Sequence, residues 1–119
     1  MFNIRLEEQD VVIKFSLNNG NYDQKNYYKI NLTTKKYYLL ETGEWTELEW
    51  ELAVESIEDR MDEIRATVVE KILNNKRVIY SYDVQTQRDG KDYSKDIEKT
   101  ERHMRENKQI QDFLNNYVL

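Results

Sequence analysis

The sequence predicts an α+β fold: an antiparallel sheet of four to six strands, made of β-hairpins in residues 1–50, packed against a long amphipathic helix at about 53–74, then one strand (78–84) and a C-terminal helix (about 92–117). Two changes of period carry this reading. Apolar residues alternate through the first forty positions, and from Ala53 they recur every three or four. With 119 residues, one such domain spanning 1–119 is the simplest organisation, large enough to bury a sizeable core.

Phe2, Ile4 and Leu6 alternate, as do Val11, Ile13, Phe15 and Leu17, with Glu8, Gln9 and Asp10 supplying a polar turn between them. The run Asn18-Asn19-Gly20-Asn21 favours a second turn, because Asn and Gly accept positive φ at little cost. Residues 27–32 and 36–40 form two more strands joined by Thr33-Thr34-Lys35. Tyr27, Tyr28, Tyr37 and Tyr38 become cross-strand neighbours there.

Residues 45–51 satisfy two periods. Thr46 and Glu49 have the spacing of a capping box, with Trp45 able to staple onto Trp50; yet Leu48, Trp50, Leu52 and Val54 also alternate, and Thr42-Gly43 suits a hairpin turn. Both a helix start and a fifth strand fit. Beyond this point Val54, Ile57, Met61, Ile64, Val68 and Ile72 define one helix face, and Asn74-Asn75 with Lys71, Lys76 and Arg77 suit its C-terminal end. Val78, Tyr80, Tyr82 and Val84 alternate again, and Ile110, Phe113, Leu114 and Tyr117 give the last helix its strongest apolar stripe.

Charge is segregated along the chain. Between residues 41 and 65 ten carboxylates face two arginines, a local balance of −8, while the other 94 residues sum to +3 within a total of −5. Residues 71–108 hold ten basic and seven acidic side chains, and Lys91, Lys95, Lys99 and Arg102 step along one helix with acids interleaved. That balance does not lead us to expect direct nucleic-acid binding.

Catalytic equipment is sparse. Without cysteine there is no disulfide, thiol nucleophile or zinc–thiolate site, and a Ser-His-Asp arrangement would depend on one histidine, His103, in a polar stretch. Gly20, Gly43 and Gly90 are isolated, so no phosphate loop is formed. Glu55, Asp59 and Asp62 have the spacing to offer oxygens to a hard cation, and Asp83 with Asp89-Gly90-Lys91 faintly resembles a nuclease Asp-x-Lys arrangement; either would suit a small metal-dependent hydrolase. The same acid spacing arises on any acid-rich amphipathic helix. No cofactor or metal site is assigned, and a non-enzymatic protein is expected.

The acidic stretch leads to a protein-binding reading. Glu47, Glu51, Glu55, Glu58, Asp59, Asp62 and Glu63, with Trp45 and Trp50 as anchors, would engage a protein with a basic surface, such as a nucleic-acid-handling enzyme. A structural alternative is self-association, possible as a homodimer, through Ile110, Phe113, Leu114 and Tyr117. Nothing near a 20-residue apolar span and no basic–apolar leader is present, so a cytoplasmic protein without membrane contact is expected. Small, acidic and Tyr-rich, the chain resembles in composition the inhibitors that phages and mobile elements encode against host nucleases. That resemblance implies a nucleic-acid mimic acting as an inhibitor or regulator, and it covers no motif.

Overall fold

The computed structural model describes residues 2–18 and 25–118 and has the expected α+β class. Strands β1 (Asn3–Glu7), β2 (Asp10–Asn18), β3 (Lys25–Asn31), β4 (Lys36–Glu41) and β5 (Glu44–Leu48) form an antiparallel meander in chain order, followed by helices α1 (Trp50–Asp89) and α2 (Ser94–Asn115). The chain divides into two compact units at a boundary inside α1, the first being Met1–Ile64 with Val118–Leu119 and the second Arg65–Tyr117. The turn expected across Asn19-Gly20-Asn21 lies outside the described residues.

Two-residue hairpins fix the register of the sheet at both edges. Glu8 and Gln9 take φ of 49° and 72° between the paired residues Glu7 and Asp10, and Thr42 and Gly43 take 46° and 82° between Glu41 and Glu44. Positive φ at both central positions is the I′ geometry that matches the strands' right-handed twist. The β3–β4 loop is held differently: Asn31 Oδ1 accepts from the Thr33 and Thr34 amides at 3.1 and 3.0 Å, and the Val11 amide donates to Thr33 Oγ1 at 3.0 Å. These bonds fasten the loop to the start of β2.

With that register, alternation sorts the side chains onto two faces. Ile4, Ile13 and Ile30 lie on one rung of the inner face and are all buried, with Val11 and Leu32 beside them. The inward stripe of the first part of α1, Ala53, Ile57, Met61 and Ile64, completes this unit's core. An aromatic ladder continues the inner face. Phe2 meets Phe15 edge-on at 5.8 Å, Phe15 stacks on Tyr28 at 5.3 Å, and Tyr28 stacks on Tyr37 at 5.7 Å. Burial and the neighbouring Tyr28 push the Tyr37 hydroxyl above its ordinary pKa.

The ambiguity at 45–51 is settled as a strand and then a helix. Thr46 lies inside β5 opposite Leu39, so the Thr46–Glu49 capping box does not form and the helix starts at Trp50. The strand expected at 78–84 is a correction: those residues are helical, and the helix expected to end near 74 continues to Asp89. Its alternating residues coexist with a second stripe at helical spacing, Ile72, Asn75, Ile79 and Tyr82, and no Gly or Pro interrupts the chain between Gly43 and Gly90. Gly90, at φ +68°, ends the helix with its amide bonded to the Thr86 carbonyl at 2.9 Å.

The second unit is a helical hairpin formed by the later part of α1 and by α2. Three contacts set an antiparallel register: Arg65 Nη2 donates to the Leu114 carbonyl at 3.2 Å, Asn107 Nδ2 donates to Asn75 Oδ1 at 2.9 Å, and the Tyr82 and Tyr93 rings lie 5.4 Å apart. Val68, Ile72, Ile110 and Leu114 form its buried seam. Near the interhelical turn the Tyr93 hydroxyl donates to Asp89 Oδ2 at 2.7 Å, which raises the Tyr93 pKa.

Candidate functional site

The first unit carries the acidic residues singled out in the sequence. In α1 the inward positions Ala53, Ile57, Met61 and Ile64 leave Glu51, Glu55, Glu58, Asp59, Asp62 and Glu63 on the remaining surface, and all six are exposed. Glu51, Glu55, Glu58 and Asp62 step by four, three and four and therefore share one stripe; Asp59 and Glu63 sit on the adjoining one. The sole cation among residues 50–64, Arg60, turns its guanidinium over the Phe2 ring at 5.8 Å to the centroid.

Helix geometry sets the density of this charge. Twelve residue steps separate Glu51 from Glu63, about 18 Å of axis at ~1.5 Å per residue, so six carboxylates give about one charge per 3 Å. One strand of DNA carries a phosphate about every 3.4 Å. Acids near the first turn, Glu51 foremost, also suit the positive end of the helix dipole, so this end of α1 accepts negative charge at little cost to the fold.

The other predicted residues separate from this surface. Glu47 and Trp45 belong to β5, on the face of the sheet opposite the core, where Trp45 is 40% exposed. Trp50 begins α1 and is half-buried. At the far end of the chain Ile110 and Leu114 are buried within the helical hairpin, while Phe113 and Tyr117 are half-buried with rings 5.3 Å apart. Burial raises the Tyr117 hydroxyl above its ordinary pKa.

Among the described residues no three His, Asp or Glu side chains converge in a way that could hold a metal ion. Asp83 lies within α1, with Asp89 at its end, so the strand context of an Asp-x-Lys arrangement is not formed. His103 is exposed on α2. No helix is long and apolar enough to cross a membrane among the described residues.

A surface that the sequence reading passed over lies on the outer face of the sheet. Ser16, Tyr27, Leu40 and Trp45 occupy one rung, and Asn3, Lys14, Lys29, Tyr38 and Glu47 the next. Along the first of these rungs runs a groove of about 360 Å³, bordered by Asn3, Lys14, Ser16, Tyr27, Leu40 and Trp45 and also by Phe2, Phe15 and Tyr28 of the aromatic ladder. Lys29 Nζ lies 4.8 Å from the centre of the Tyr38 ring and 5.1 Å from that of Trp45, a cation–π arrangement with both. Glu7 bridges Arg5 at 2.8 Å and Lys14 at 3.1 Å, and these cations, Lys14 first, hold its carboxyl below the usual glutamate pKa. Alternation alone could have identified this face: once Phe15, Tyr28 and Tyr37 are placed inward, Lys14, Tyr27, Lys29 and Tyr38 must point the other way.

Comparison of the chain with protein-family models, curated proteins and solved structures finds no match.

Proposed function

We propose that this chain is a non-enzymatic binding module whose acidic helix surface docks on a basic protein surface, in the manner of an inhibitor or regulator of a nucleic-acid-handling enzyme of phage or mobile-element type. The observation that supports the reading is the six exposed carboxylates between Glu51 and Glu63, at a linear density close to that of a phosphate backbone. A regular helix packed on a sheet holds those charges in fixed order, so their geometry requires little reorganisation on binding. A basic cleft shaped for nucleic acid would meet a similar row of negative charge.

Such a complex forms quickly and responds strongly to salt, because long-range attraction steers encounter and ions screen it over about 8–10 Å. The test is affinity capture from cells of the source organism, with the wild-type chain and a Glu55→Lys/Glu58→Lys/Asp59→Lys variant in parallel at low and high salt. The reading predicts a nucleic-acid-handling protein held by the wild type at low salt, released at high salt and missing from the variant. Identical proteins on both baits would remove it.

Self-association through the C-terminal stripe is not the reading we adopt. Ile110 and Leu114 are already buried, at 1% exposure each, and have little apolar area left for a second copy.

A further inference from the structure

We propose that the outer face of the sheet binds single-stranded nucleic acid, with Tyr27 and Trp45 stacking on bases and Lys14 and Lys29 receiving the phosphates. The inference is independent of the acidic helix surface, which lies on other residues. Tyr27 and Trp45 are 48% and 40% exposed, high values for large rings, and they flank Leu40 across one rung of the sheet. Two strand spacings, about 10 Å, separate them. Next to that rung, about 7 Å along the strands, Lys14 and Lys29 are paired on adjacent strands. A nucleotide can bridge such a step, with its base over the rings and its phosphate toward the ammonium groups.

Charge on this face differs from that of the whole chain. The groove's own rung, Ser16, Tyr27, Leu40 and Trp45, carries no carboxylate, and Arg5 and Lys36 extend the cations onto the rung beyond Lys14 and Lys29. Of the three acids on the face, Glu7 bridges Arg5 and Lys14 and so offsets part of their charge, Asp10 accepts from Asn31 Nδ2 at 3.1 Å, and Glu47 lies at the edge opposite Tyr38; Arg5, Lys14, Lys29 and Lys36 against these three leave the face at +1. Lys29 Nζ already sits over Trp45, so stacking surface and positive charge are juxtaposed before any ligand arrives. Flat rings beside cations suit single strands of any sequence, because every base has a π-face. An acidic peptide is less well served. The backbone groups of β2, β3 and β4 are spent on their neighbours, so over the middle of the groove an extended peptide finds no ladder, and only the edge strand β5, beside Trp45, offers one.

The test is fluorescence anisotropy of a short labelled oligo(dT) titrated with the full chain across a salt series, beside a labelled acidic peptide of equal charge. Expected is saturable binding of the oligonucleotide that Trp45→Ala and Tyr27→Ala each weaken about tenfold, with Trp45→Phe retaining most of the affinity. Two phosphate contacts predict a slope near −1.4 for log K against log salt, and Lys29→Met should flatten it by about 0.7. Circular dichroism of each variant confirms that the sheet persists. The proposal is overturned by absence of oligonucleotide binding at about 100 µM protein in low salt, where even non-specific binders are detected. Binding indifferent to both aromatic substitutions would overturn it as well, since that is polyanion attraction alone. Tighter, Trp45-dependent binding of the peptide would assign the groove to a protein ligand instead.

Discussion

Replacing Ile57 by alanine tests the division of α1 into a buried and an exposed face. Ile57 is 2% exposed and lies among Ala53, Met61 and Ile64 on the inward stripe, whereas Leu52, equally apolar, is 67% exposed. Ile57→Ala removes three carbons, about 2.4 kcal/mol of transfer free energy at ~0.8 kcal/mol each. Incomplete closure of the remaining cavity raises the expected cost to about 3–4 kcal/mol. Leu52→Ala should stay within about 0.5 kcal/mol, because the side chain leaves water in neither state. Both tryptophans, Trp45 and Trp50, belong to the first unit, so urea unfolding followed by tryptophan fluorescence reports on that unit. Equal destabilisation by the two substitutions, or less than about 1 kcal/mol for Ile57→Ala, would refute the face assignment and the exposure of the carboxylates derived from it.

Two further outcomes concern polar groups. In the helical hairpin, Asn75→Leu or Asn107→Leu alone strands its part-buried partner and should cost about 1–3 kcal/mol, while the double substitution should recover most of the loss in a thermal-unfolding cycle; additive losses would contradict the pairing. At the sheet edge, the folded pKa of Glu7 lies below its ordinary value of 4.5, so its stabilisation is present above that value and is lost as pH falls through the depressed folded one. Glu7→Gln should therefore flatten the acid limb of a stability–pH profile below about pH 4.5, by a modest amount because the pair is solvent-screened; an unchanged limb would contradict the bridge.

How much could be read in advance differed by element. The strands were legible because alternation is local: Val11, Ile13 and Phe15 face inward in the structure as their spacing requires. At Thr46 a capping box competed with a hairpin turn, and Thr42-Gly43 prevailed through backbone geometry that the box cannot offset. At 78–84 both periods were present in the same residues, and the choice lay with distant partners. Asn75, which resembled a helix stop, bonds Asn107, and Tyr82 meets Tyr93. Neither contact is visible in a window of neighbours. The acid stripe from Glu51 to Glu63 was legible as composition, and only the fold separated Glu47 from it onto the sheet. The Tyr27–Leu40–Trp45 rung requires two strand registers at once, which no single stretch of sequence contains.

If the charge on the first turns of α1 drives association with a basic protein, as we propose, charge reversal and added salt should weaken the same complex. The most direct test is the dissociation constant of the purified complex with the captured protein, measured over a salt series for the wild type and for Glu55→Lys/Glu58→Lys/Asp59→Lys. The variant should bind about 100-fold more weakly at low salt, roughly 2.7 kcal/mol, and its affinity should depend far less on salt. Equal affinity and an unchanged salt dependence would contradict it.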